Sequence, residues 1–276
     1  MTTDWYDVKR IGESSYAIWE LDRYVCYLVE GTERALLIDT GCGVGDLQRL
    51  VKDLTNKPID VLLTHSHWDH IGNAHQFERV LAHPKERSDE GAVAIDGVTD
   101  EFVNRPEQAL SNWAENDIRF PPGFDPGSYH IESVSDVTSV YAGEVIDLGN
   151  TVIELLPLPG HSPGQLGALD RQTGVLYGAD IIGGGFQLLA LFEQSDLAEY
   201  LASAKLVRDL YSAGAVEKVV TGHLPPIKGT EMAIFESIAD VLGEILAGEL
   251  SGTATETKHG DAIEYSAGGF SVLTGR

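Results

Sequence analysis

Three histidines and one aspartate fall within six consecutive residues, HSHWDH at 65–70. In a chain of this composition, chance would produce that spacing with a probability on the order of one in a thousand. Imidazole nitrogens and carboxylate oxygens are the ligands that zinc and similar divalent cations prefer. The motif directly follows a predicted strand at 59–63, so its alternate side chains can converge on one side. It therefore predicts a metal site at the end of a strand.

Three later residues of the same chemical kinds stand in similar settings. They are His161 in PGHSPG, Asp180 in YGAD and His223 in TGH. Each follows a predicted strand and lies in or beside a glycine-containing turn. Functional side chains commonly occupy such loops, because the strands hold the loops in place while leaving them accessible. We therefore expect these residues to complete the metal site.

The four motifs together resemble the metallo-β-lactamase superfamily, and the resemblance covers roughly residues 16–230. It implies an α/β (α+β) fold, the four-layer αββα sandwich, and two divalent metal ions, with zinc as the expected metal. It also implies that Asp39 in LIDTG orients a ligand by hydrogen bonding without binding metal. The implied ligands are His65, His67 and His161 for one ion, Asp69, His70 and His223 for the other, and Asp180 bridging both.

The order of predicted elements agrees with two β-rich halves carrying helices. We expect one domain over 1–276, interrupted by an irregular, proline-rich, lid-like insertion at 84–140 that carries four aromatic residues, Trp113, Phe120, Phe124 and Tyr129. The predicted strands are 16–21, 24–31, 34–41, 59–63, 78–82, 144–148, 151–157, 165–169, 175–178, 216–220 and 270–273. The predicted helices are 44–54, 71–77, 197–210 (capped by Ser195-Asp196) and 230–250.

The composition limits partners and compartment. The 276 residues are 43% hydrophobic, enough for a sizeable core, and 19 basic against 43 acidic residues give a formal net charge of −24. Such a charge repels nucleic acids and anionic membranes, and we interpret it as a halophilic adaptation to high salt rather than ordinary acidity. The chain has only two cysteines, Cys26 and Cys42, which favours a reducing compartment. It shows neither a secretion signal nor a long apolar run, so we predict a soluble cytoplasmic protein.

Departures from subfamily patterns bear on the substrate. Lactonase-like relatives place a proton-donating tyrosine soon after the bridging aspartate, whereas this chain continues from Asp180 with IIGGGF at 181–186. Ribonuclease Z-like relatives act on a polyanion, which a chain of this charge disfavours. Glyoxalase II-like relatives bind glutathione through a basic C-terminal region, and only Lys258 and His259 are offered here. The superfamily is thus better specified than the substrate.

We predict a dinuclear metal-dependent hydrolase that cleaves a small carboxylic ester, lactone or thioester through a metal-bridging hydroxide, with Asp69 as the proton shuttle. Trp68, Phe186 and Phe192 are candidates for a substrate pocket, although each could equally be a packing residue. The alternatives are a phosphodiesterase, a mononuclear iron persulfide dioxygenase and a non-catalytic, metal-stabilised binding protein.

Overall fold

The computed structural model describes residues 5–94 and 105–275. The chain divides into two compact units, the first comprising 1–141 with 147–151 and the second comprising 142–146 with 152–276. Each unit carries one part of the predicted site. Asp39 and the HSHWDH motif belong to the first unit, and His161, Asp180 and His223 belong to the second.

The first unit is built on a seven-stranded sheet whose strands lie side by side in chain order. Strands β1 to β4 form an antiparallel meander, and β4 to β7 run parallel. The central strands are buried almost throughout, which accounts for their continuous apolar sequences. The bounds are β1 (Tyr6–Arg10), β2 (Ser15–Glu20), β3 (Tyr24–Glu30), β4 (Ala35–Ile38), β5 (Ile59–Leu63), β6 (Val80–Ala82) and β7 (Val137–Ser139).

Three α-helices are described in the first unit: α1 (Leu47–Leu54), α2 (Trp68–Ile71) and α3 (Arg105–Glu115). Helix α1 begins after Asp46, whose side chain accepts a hydrogen bond from the Arg49 backbone N–H. Its buried residues are Leu47, Leu50 and Val51, so the helical spacing in the sequence is confirmed. Helix α3 and strand β7 lie within the predicted insertion, whose residues 95–104 are outside the described part of the chain.

The second unit contains two sheets, ordered β14-β13-β11-β10-β9-β8 and β12-β17-β16-β15. In the first of these, β9, β11 and β13 run in the same direction, because β10 is antiparallel to both β9 and β11 and β13 is parallel to β11. The bounds are β8 (Val145–Asp147), β9 (Val152–Pro157), β10 (Leu166–Asp170), β11 (Val175–Tyr177), β12 (Gln187–Ala190), β13 (Lys218–Val220), β14 (Ile227–Lys228), β15 (Thr253–Thr257), β16 (Gly260–Ala267) and β17 (Phe270–Thr274).

Two helices, α4 (Leu197–Ser212) and α5 (Ile234–Ala247), bury their apolar faces in the core of the second unit. The side chain of Asp196 accepts hydrogen bonds from the first turn of α4, which confirms the predicted cap. Phe235 of α5 and Leu176 of β11 are fully buried in the same cluster. Burial of each such side chain stabilises the fold by roughly 1.5–3 kcal/mol.

Several predicted elements differ from the observed ones. The helix predicted at 71–77 is wrong as a single element, since α2 is followed by a separate 3-10 turn at Ala74–Gln76. The break coincides with Gly72, where a Cβ atom would lie only 2.2 Å from the Gly43 nitrogen, so two backbone segments meet closely there. The long helix predicted at 230–250 is shorter, because a 3-10 turn at Gly229–Ala233 precedes α5 and the left-handed Gly248 ends it.

Strands β1, β7, β12 and β14 to β16 are additional to the predicted ones, because they are short, irregular in hydrophobic pattern or mostly exposed. Among the described residues, no helix combines the length and apolar character needed to cross a membrane.

Candidate functional site

The HSHWDH motif lies where β5 ends and α2 begins, in the first unit. His65, His67 and His70 are at most 7% exposed. The ring centroid of His65 lies 4.5 Å from that of His67 and 4.0 Å from that of His70. Asp69, on α2, is partly exposed. The motif thus gathers three imidazoles, and nitrogen donors in this number fit a zinc-like cation.

Asp39 holds this group of residues from the neighbouring strand. It follows β4, with a left-handed φ of 63°, and β4 pairs with β5. Its Oδ2 lies 2.8 Å from His70 Nδ1, and its Oδ1 accepts the Thr64 backbone N–H at 2.8 Å. A hydrogen bond from Nδ1 to a carboxylate leaves the Nε2 lone pair of His70 for a metal ion. Asp39 therefore orients a histidine without itself needing to contact metal.

In the second unit, His161, Asp180 and His223 come within four residues of the ends of β9, β11 and β13. These strands run in the same direction, so their carboxyl ends share one edge of the sheet. Asp180 Oδ2 lies 2.9 Å from His223 Nε2 and 3.6 Å from His161 Nε2. The Nδ1 atom of His161 lies 2.8 Å from the Leu189 carbonyl oxygen, so Nε2, on the side of Asp180, is the ring nitrogen that could bind a metal ion. The second unit thus groups two imidazoles around one carboxylate.

Two buried residues that sequence reasoning missed hold these groups. Glu86 accepts hydrogen bonds from Ser66, between the first two histidines of the motif. Tyr200 of α4 donates to the carbonyl oxygens of Asp180 and Ile181, at 2.9 and 3.1 Å. Burial, and then the charge of Asp180, raise the pKa of the Tyr200 hydroxyl well above its ordinary value, so it remains a donor. No local sequence pattern identifies either residue, because both act over at least 19 residues of separation.

Trp68 and the aromatic residues of the insertion belong to one packed group in the first unit. The Trp68 ring lies edge-on to Tyr24 at 5.6 Å and 6.1 Å from Trp113. Trp5 joins Trp113 and Phe120, each at 6.0 Å. Tyr129 donates a hydrogen bond to the Cys42 carbonyl oxygen. This part of the insertion therefore packs against the rest of the first unit. Trp68 is only 7% exposed within this aromatic group.

The two phenylalanines predicted for the pocket occupy different environments in the second unit. Phe186, with a left-handed φ of 57°, is 38% exposed and follows the glycines at 183–185. Phe192 is 7% exposed, and its ring lies edge-on to His161 at 5.4 Å. The strand β12 occupies the residues between them. Phe192 thus packs against a candidate ligand, whereas Phe186 offers apolar surface to solvent.

Sequence comparison identifies relatives that include two proteins named for hydrolysis of acyl compounds. Human acyl-coenzyme A thioesterase MBLAC2 is 28% identical over 240 residues, which are 80% of this chain and 81% of that protein. Hydroxyacylglutathione hydrolase GloC from Haemophilus influenzae is 28% identical over 161 residues, covering 57% of this chain and 66% of that protein.

Solved structures and a family model identify the fold and the family. A metallo-β-lactamase family protein from Thermus thermophilus has a TM-score of 0.60 at 19% identity, covering 87% of this chain and 82% of that one. A metallo-β-lactamase from Pontibacter korlensis has a TM-score of 0.56 at 19% identity, covering 86% and 99%. The model described as the metallo-β-lactamase superfamily matches residues 20–223, from the end of β2 through His223. The chain therefore belongs to the metallo-β-lactamase superfamily, has its fold and is a metal-dependent hydrolase.

Proposed function

We propose that this hydrolase is a dinuclear zinc enzyme that cleaves the thioester bond of small acyl-bearing molecules. The observation that carries the substrate class is that two relatives, named for hydrolysis of acyl-coenzyme A and of hydroxyacylglutathione, both act on sulfur-linked acyl groups. The proposed ligands are His65, His67 and His161 for one ion, Asp69, His70 and His223 for the other, and Asp180 shared between them. Because the proposed ligands come from both units, we further propose that 1–276 functions as a single domain.

The donor atoms of the two units support a metal of the zinc type. The first unit groups imidazoles, and one of them has its tautomer set by Asp39. The second unit groups two imidazoles with a carboxylate. Nitrogen and carboxylate donors without a thiolate suit Zn²⁺. Burial raises the pKa of both cysteine thiols, which agrees with their absence from the proposed ligand set.

When bound, the two ions would supply an activated water and a Lewis acid for the substrate carbonyl oxygen. The protein's own contribution is to place proton acceptors and to hold the donors rigid. Asp69 is the proposed proton acceptor, since it is partly exposed while the motif's histidines are buried.

The leaving group also favours a thioester over a lactone. A thiol has a pKa of about 8.5, so a thiolate departs without prior protonation, whereas an alkoxide needs a proton donor. Residues 181–186, which follow Asp180, contain no tyrosine that could serve as such a donor.

The acyl group is proposed to contact Phe186, since that ring is 38% exposed beside the glycine-rich turn after Asp180. Trp68 and Phe192 are both buried, and we propose that each supports the pocket by packing within its own unit. We also propose a cytoplasmic location. Its support is that Cys26 and Cys42 are both free thiols, as expected in a reducing compartment.

The test is hydrolysis of a matched panel by protein of measured metal content. The panel pairs acyl-coenzyme A and acylglutathione thioesters with oxygen esters of the same acyl groups, lactones and bis-p-nitrophenyl phosphate. We expect two zinc equivalents per chain and the highest kcat/KM for a thioester. Asp69→Asn should lower kcat by about 10²–10⁴-fold. Asp240→Asn, at an exposed position of α5, is the matched control and should leave kcat unchanged.

Three results would contradict the proposal. A single iron equivalent would favour the persulfide dioxygenase. Preference for the phosphodiester would favour a phosphodiesterase. Equal rates for Asp69→Asn and the wild-type protein would remove Asp69 from the mechanism.

A further inference from the structure

Two buried carboxylates fix alternate residues of the segment that carries His65 and His67. Strand β5 lies between β4 and β6 in the sheet, and the segment continues from its carboxyl end. Asp39, after β4, accepts hydrogen bonds from the backbone N–H and the hydroxyl of Thr64. Glu86, after β6, accepts the same pair of hydrogen bonds from Ser66. The anchored residues therefore alternate with the two histidines.

The Glu86 contacts are short and fully enclosed. Its Oε2 accepts the Ser66 backbone N–H at 2.9 Å and the Ser66 hydroxyl at 2.8 Å. Glu86 is 1% exposed and Ser66 is 4% exposed. A carboxylate removed from water is stabilised only by donors aimed at it, so these bonds are strong and directional. Together they fix both the main chain and the side chain of Ser66.

We propose that Glu86 is a positioning residue for His65 and His67, an inference that rests on the proposed role of these histidines as metal ligands. Residues 65–67 lie outside regular secondary structure, so no ladder of backbone hydrogen bonds holds them. The contact with Glu86 supplies that constraint in the middle of the segment. A ligand pair held in advance binds metal more tightly than one that must be ordered on binding.

A metal-affinity comparison tests this role with a readout independent of catalysis. Glu86→Gln keeps the shape of the side chain but removes its charge. The matched control is Asp170→Asn in the second unit, because Asp170 is 5% exposed and likewise accepts a backbone N–H (Gln172, 2.9 Å) and a hydroxyl (Thr173, 2.6 Å). Each substitution removes the charge of a buried carboxylate that accepts a backbone N–H and a hydroxyl. Only Glu86 bonds to a residue that lies between proposed metal ligands.

Zinc dissociation constants are measured by competition with a chromophoric chelator, and thermal unfolding of the metal-free proteins reports folding. We expect Glu86→Gln to weaken zinc binding by about tenfold or more and Asp170→Asn to change it less than about twofold. Ser66→Ala, which keeps the backbone N–H contact, should weaken binding by a smaller factor. In the Glu86→Gln background it should add little, because the hydroxyl has then lost its charged partner.

Ser66→Ala also decides the question if Glu86→Gln does not fold. Wild-type zinc affinity in both Glu86→Gln and Ser66→Ala would overturn the inference, as would an equal loss in Asp170→Asn. His65→Ala serves as the reference for the proposed function itself. If that variant bound zinc as tightly as the wild-type protein, the metal-ligand assignment would be wrong, whatever Glu86 does.

Discussion

The substitution Tyr200→Phe measures how much the Tyr200 hydroxyl contributes to stability, because it removes the hydroxyl and keeps the ring. Tyr200 is 1% exposed, and its hydroxyl donates to the carbonyl oxygens of Asp180 and Ile181 at 2.9 and 3.1 Å. Phenylalanine keeps the packing of the ring but removes this donor from two buried acceptors. The expected loss in the free energy of unfolding is about 1–3 kcal/mol. For a chain of this length, that loss corresponds to a fall in Tm of about 2–5 °C.

Tyr211→Phe is the control, because Tyr211 lies on the same helix and donates to the Gly229 carbonyl oxygen at 3.0 Å in an exposed position. Water can replace that donor, so the expected change is below about 0.5 kcal/mol. Urea unfolding and thermal scans of the metal-free proteins measure both variants. Zinc affinity should fall only in Tyr200→Phe, because its hydroxyl holds the main chain of Asp180. Equal stability of the two variants would refute this reasoning.

Three further outcomes are expected. Because a net charge of −24 opposes compaction, Tm should rise steadily from about 0.1 M to about 2 M potassium chloride. A Tm that did not change with salt would contradict the halophilic interpretation of this charge. Burial is the main cause that raises the pKa of Glu20, because it disfavours the charged carboxylate. The protonated Glu20 therefore contributes stability that is present below the unfolded pKa and is lost as pH rises through the folded pKa. In urea unfolding from about pH 4.5 to 7, stability should therefore decline less with pH in Glu20→Gln than in the wild-type protein, and parallel profiles would contradict the raised pKa. Gly160→Ala should cost about 2 kcal/mol or more, because φ is +127° and the new Cβ would lie 2.4 Å from Tyr200 Cα, whereas Gly243→Ala on α5 meets nothing within 4 Å and should be neutral or stabilising in the same unfolding assay.

Most strand positions in both units could be predicted, because they depend on local patterns. The strand at 59–63 and the Asp196 cap of α4 are found where the sequence places them. Apolar periodicity and capping chemistry act within a few residues, so they are legible along the chain. The helix predicted at 71–77 is wrong because its interruption coincides with the approach of Gly72 to Gly43, a contact between distant segments.

The sequence by itself determined the family, the chemical nature of the candidate donors and their places at strand ends, because residue type and spacing carry that information. Only the tertiary structure decided which residues hold those donors. Glu86 reaches Ser66 because β6 pairs with β5, and Tyr200 reaches the Asp180 carbonyl from α4 in the core of the second unit. Hydrogen bonds require partners within about 3 Å in a defined direction. Strand pairing and helix packing set such distances, and neither is encoded in the residues adjacent to the motif.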